Sequence, residues 1–212
     1  MKCPHCLVTI HAQWERTQLG RDEDFGWLIG RTLCPSCQKF IMNLSCTPKN
    51  ATGPVIKEFQ VYPKGIARTP LSTVIPVTYA VDYKEACQVL PDSAKASAAL
   101  SRRCLQNLLR NVANVKPSDL SKEIDEVLNS GKLPSQLAEA IDAIRNVGNF
   151  AAHPIKSTNS GAIVEVEVGE AEWLLDVLEG LFDFYFVQPD LLQKKKAALN
   201  KKLTEAGKPP MK

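Results

Sequence analysis

From Asp92 onward, apolar residues recur with the spacing of a helix. In SAKASAALSRRCLQNLLRNVAN, Leu100, Cys104, Leu105, Leu108 and Leu109 form one stripe, and Asp92 or Ser93 stands where an N-cap belongs. Ser118 or Asp119 opens a second helix with Leu120, Ile124, Val127 and Leu128 inward, closed by Gly131. Pro134 suits the first turn of a third helix, which runs from about Ser135 through Ala152 and is stopped by Pro154. STNSG (157–161) is a turn, and AIVEVEV (162–168) alternates like a short strand or extended arm. Glu170 to Phe186 predicts the most apolar helix, broken at Gln188 and Pro189, before a lysine-rich helix to about Ala206.

The N-terminal part has a different period. LVTIHAQW (7–14) and KFIMNLSC (39–46) alternate in parts as strands do, and GRDED (20–24) reads as a loop. Residues 47–91 are rich in Pro, Thr and Val. IKEFQVYP (56–63) suits one strand, and 66–79 runs extended between prolines. Prolines 54, 63, 70, 76 and 91 exclude a long helix, so the segment is expected to be an extended connector. The expected class is therefore α+β: a small β ribbon over 1–46, a connector over 47–91, a helical bundle over 92–187, and a basic helix and tail over 188–212. No internal repeat or phosphate-binding loop is visible.

The cysteines assign chemistry to the ribbon. Cys3-Pro4-His5-Cys6 and Cys34-Pro35-Ser36-Cys37 are two knuckles. Thiolates two residues apart can turn onto one ion with sulfurs about 3.7 Å apart, as tetrahedral zinc with bonds of about 2.3 Å requires. Cys3, Cys6, Cys34 and Cys37 would close a single structural Zn²⁺ site and leave no position for water. The 27 residues between the knuckles exceed the usual spacing and suit a longer hairpin. A redox dithiol pair is the alternative, although no βαβ surroundings accompany these cysteines. His5, His11 or Cys46 are substitute ligands, but His5 lies inside its knuckle. Cys46, Cys87 and Cys104 read as small buried apolar residues.

The chain has 212 residues, 44% hydrophobic and 23% charged, as in soluble globular proteins. No apolar run reaches about 18 residues, and MKCPHC carries no apolar leader core, so a cytoplasmic protein without a membrane partner is expected. Residues 92–187 carry nine basic and fourteen acidic groups, and 188–212 carry seven and two. An acidic body with a basic tail suits a polyanionic partner; the same tail suits a solvated helix end. Trp14, Phe25 and Trp27 near Arg16, Arg21 and Arg31 have the composition of a base-stacking surface, and equally of packing under a ribbon.

RNVGNFAAHP (145–154) concentrates the remaining polar chemistry. At about 100° per residue, His153 lies about 20° from Asn146, 40° from Asn149 and 80° from Arg145 on a regular helix. Gly148 costs about 1 kcal/mol in a helix interior and points to close packing there.

AKASAALSRRCLQNLL, followed by AIDAIRNVGNFAAHP, resembles the bacterial family called domain of unknown function 4145, as do DYKEA (82–86) and the CPHC knuckle. That family is similar to the HEPN superfamily of small helical bundles. Many of its members are metal-independent ribonucleases of toxin and defence systems, built on Arg, four to six residues, then His. Here seven residues separate Arg145 from His153. The resemblance implies a HEPN-like bundle, a homodimer and a composite RNA site. His153, with an unperturbed pKa near ~6.5, would take the ribose 2′-OH proton. Arg145 would hold the phosphate, Asn146 or Asn149 would orient the imidazole or the phosphate, and Arg102 or Arg103 would add a cation. The competing assignment is structural: His153 caps a helix end, Arg145 pairs with Asp142 or an acidic residue of another helix, and the protein is a non-catalytic interaction module.

Overall fold

The computed structural model describes residues 1–48, 54–65, 68–145 and 165–211. It is an α+β protein that divides into two compact units, Met1–Pro70 and Leu71–Lys212.

The first unit is an antiparallel sheet in the order β1-β2-β3-β4: Glu15–Arg21, Phe25–Leu33, Phe40–Pro48 and Lys57–Tyr62. The expected strand over 7–14 is not one. Those residues leave the first knuckle, and only Thr9 bridges, to Lys2. The first strand lies just beyond, in ERTQLGR, whose seven residues are all exposed and so carry no apolar alternation. Asp22 makes the hairpin turn, accepting from the Asp24 and Phe25 amides at 2.9 and 2.6 Å. KFIMNLSC and IKEFQVYP do form strands, as β3 and β4.

The second unit is helical. α1 spans Val77–Val89, where the sequence suggested an extended connector. Pro76 and Pro91 bracket this helix rather than interrupt it, since proline is harmless ahead of the first turn. Tyr79, Asp82, Tyr83, Ala86 and Cys87 are its buried face. Thus 47–91 supplies β4 to the sheet and α1 to the bundle. α2, Ala94–Asn111, starts at Ser93, whose Oγ accepts from the Ala96 amide at 3.1 Å. It buries Ser97, Ala98, Ser101, Cys104, Leu105, Leu108 and Leu109 against its neighbours.

α3, Leu120–Asn129, is capped by Asp119, and Gly131 follows at φ 64°. α4 spans Ser135–Ala143 and is shorter than its periodicity suggested: Ile144 already leaves helical geometry at ψ −1°. α5, Val168–Phe182, buries Leu174, Leu175, Leu178, Leu181 and Phe182. The predicted break at Gln188 and Pro189 is absent. A π-helical turn, Asp183–Val187, carries the chain directly into α6, Gln188–Glu205. The Gln188 amide bonds back to Asp183, so the ladder has already widened where proline lacks a donor. None of the described helices is long and apolar enough to cross a membrane.

Candidate metal centre

Cys3, Cys6, Cys34 and Cys37 come together with their sulfurs all within 4.8 Å of one another. Cys3 Sγ lies 3.8 Å from Cys37 Sγ, and Cys6 Sγ 3.8 Å from Cys34 Sγ. Sulfurs about 3.8 Å apart are what tetrahedral coordination at about 2.3 Å demands. The four ligands close the shell, so the site suits a structural ion and offers no open position for catalysis.

Both knuckles are built alike. The Cys3 amide bonds to Val8 O at 2.9 Å and the Cys34 amide to Lys39 O at 3.0 Å. Leu7 N returns to Cys3 O, and Gln38 N to Cys34 O, both at 2.9 Å. The residue after each second cysteine is left-handed, Leu7 at φ 61° and Gln38 at φ 56°. These two positions complete the turns that aim the sulfurs, and neither carries the Gly or Asn that would have marked it in the sequence.

Amides of Cys37 and then Ser36 help hold the Cys34 thiol down at about 7, while desolvation pushes Cys37 up to about 12. Cys34 and Cys37 thus favour different protonation states, a difference that a cation held by both would remove. His5 is not among the clustered ligands: its Nε2 is 2.8 Å from Phe40 O, and its ring lies against Tyr62. His11 is exposed. Cys46, Cys87 and Cys104 are buried, and burial pushes the Cys104 thiol up to about 12. Cys3, Cys34, Ile10 and Ile41 form a small core, against which Trp14 packs.

The Arg145 constellation is only partly in view, because Asn146, Asn149 and His153 lie outside the described residues. Arg145 follows α4 and donates to Asp142 at 2.7 Å, as the structural assignment requires. It also pairs with Asp125 of α3 at 2.6 Å. Its hydrogen bond to the Asp125 carboxylate is the main cause that raises its pKa above the usual arginine value. Arg103 is committed to α1, donating to both oxygens of Asp82 at 2.6 and 3.1 Å, with Glu85 at 3.6 Å. Arg102 is partly desolvated, which lowers its pKa, and it senses Glu123 and Asp119.

Nothing in the residue pattern marks out Glu123. Wholly buried, it accepts on Oε1 from the Ser118 amide at 2.7 Å and from Arg110 Nε at 2.7 Å, locking the α2–α3 connection.

No curated protein and no solved structure matches the chain. A family model, domain of unknown function DUF4145, matches residues 84–202, which take in the second half of α1, Arg103, Glu123, Arg145 and most of α6. The match covers more than half of the chain, so the protein belongs to the DUF4145 family.

Proposed function

We propose that this protein is a non-catalytic, nucleic-acid-associated interaction module, with a HEPN-like bundle and a ribbon held by one structural Zn²⁺. The closed four-cysteine constellation carries the proposal: with sulfurs 3.8 Å apart and no vacant ligand position, the metal is there to hold a surface in shape. Four thiolates select zinc among the common ions. Charge supports a polyanionic partner, since residues 1–70 hold nine basic and five acidic groups. Metal analysis of the purified protein tests the ribbon. The expected value is about one zinc per chain, lost in Cys34→Ser; no zinc in the native protein would refute it.

A second function has one observation in its favour, the Arg145–His153 segment with its polar Asn146 and Asn149. It is a metal-independent endoribonuclease of defence or toxin type, using Arg145 and His153 across a homodimer in the cytoplasm. Against it stands the engagement of Arg145 by two carboxylates. Incubation with mixed RNA in chelator, native protein beside His153→Ala, separates the two. Cleavage that depends on His153 establishes the ribonuclease; equal, background-level RNA loss leaves the interaction module.

A further inference from the structure

The two faces of the sheet differ. Pairing of Arg16 with Gly30, Gln18 with Leu28 and Arg21 with Gly26 sets these three polar side chains of β1 on one face. Strict alternation would send Arg21 to the opposite face from Gln18. A bulge between Gln18 and Gly20 restores it, with Gly20 at φ 154°, where a side chain is disfavoured. The bulge therefore re-aims one arginine to stand beside the other.

β2 and β3 complete the same face. Gly26 leaves the floor open: a Cβ there would come within 3.1 Å of Thr47 Oγ1. Ser45 and Thr47 line the far side. The result is a cleft of about 360 Å³ bounded by Arg16, Gln18, Arg21, Gly26, Ser45 and Thr47. At the Gly30 end stands Trp14, whose ring is 3.3 Å from where a Gly30 Cβ would lie, and which packs on the cysteine core. Arg16 meets Glu58 only at 4.0 Å, with both side chains about half exposed. Among the described residues, neither Arg21 nor Gln18 has a hydrogen-bond or ion-pair partner. Arg31, also basic, pairs with Glu15 and belongs to the other face.

We propose that this cleft is the site where the protein holds a single-stranded nucleic acid, Arg16 and Arg21 taking successive stretches of its phosphate backbone. The proposal rests on the nucleic-acid-associated function above and gives it a surface. Guanidinium forks, a primary amide and the Ser45 hydroxyl are donors that phosphate oxygens take, while the Thr47 hydroxyl already donates to Gly26 O at 3.4 Å. Two cations spaced along one strand, in the more basic unit, match a ligand whose charge repeats. A cleft of this volume is of the size that holds a small ligand, so it admits a nucleotide unit but not a duplex.

Fluorescence anisotropy of the zinc-loaded full chain with a labelled oligo-uridine or oligo-thymidine tests it, at about 50 and 200 mM salt. Arg16→Glu with Arg21→Glu is expected to weaken binding at least about tenfold. The milder Arg16→Gln with Arg21→Gln should reduce the log–log salt slope by about 1.4, the value for two single-strand phosphate contacts. Gln18→Glu should weaken binding, whereas Arg31→Gln on the opposite face should leave the slope unchanged; retained zinc shows that each variant is folded. Native binding that these cleft variants do not alter overturns the cleft and leaves nucleic-acid association standing. No native binding overturns both. A duplex bound as well as the single strand, or labelled poly-glutamate bound more tightly, overturns the ligand class.

Discussion

Arg145 donates to Asp125 at 2.6 Å and so ties the end of α4 to α3. The guanidinium is a short bridge between helices, steadied from its own side by Asp142. Asp125 is about half exposed, so solvent screening keeps the contribution below about 1 kcal/mol. Asp125→Asn should therefore lower the urea midpoint only slightly. If Arg145 serves RNA cleavage, the same variant frees it and raises the rate; with an interaction module, RNA remains intact.

Glu123 is a stronger point of failure. It is fully buried, and Arg110 with the Ser118 amide converges on one of its oxygens. Glu123→Ala strands the Arg110 charge beside a small void and should cost about 3–5 kcal/mol. Glu123→Gln keeps the shape and an acceptor, so its loss in denaturant unfolding should be clearly smaller.

At the start of α3, Asp119 accepts from the Lys122 amide at 3.1 Å and pairs with its ammonium at 2.7 Å. The Lys122 side-chain hydrogen bond is the leading cause that holds the Asp119 carboxyl below its ordinary value. A depressed carboxylate pKa adds stability that is complete above the unfolded value of about 3.9 and disappears as pH falls through the folded one. Asp119→Asn keeps a capping oxygen and loses the charge. The native protein should exceed it in stability at neutral pH, and the gap should close below about pH 4.

Removing the metal should unfold the ribbon selectively. Thiolates bind metal only when deprotonated, so acidification should release the ion together with order in the sheet. A zinc indicator and tryptophan fluorescence should report the two in parallel, because Trp14 packs on the cysteine core. Helical circular dichroism from the second unit should persist.

How much of this was legible beforehand differs by element. α2 and α3 announced themselves through apolar stripes and caps, Ser93 and Asp119, because their local chemistry and their packing agree. α1 did not. Val77 and Val81 are exposed while Asp82 is buried under Arg103, so its polarity pattern is inverted by a tertiary ion pair. β1 was missed because an edge strand with both faces wet has no alternation to read. Pro189 looked like a break because the π-helical turn ahead of it leaves no trace in the composition. The clustering of Cys3, Cys6, Cys34 and Cys37 was readable from spacing alone. The convergence of Arg16 and Arg21 was not, since it depends on a bulge.

A metal held by the four cysteines would act on residues it never touches. β1 has no buried residue to fix it in place, yet it lies within the segment between the knuckles. An ion joining Cys6 to Cys34 turns that segment into a closed loop and removes, in advance, much of the entropy the strand would lose on pairing. The edge strand is then presented to β2 at a high effective concentration. In those terms an ion at the four cysteines would act as a tether, and its contribution to the placing of Arg16 and Arg21 would be entropic: its loss would free the strand that carries them before any of that strand's own contacts had been cut.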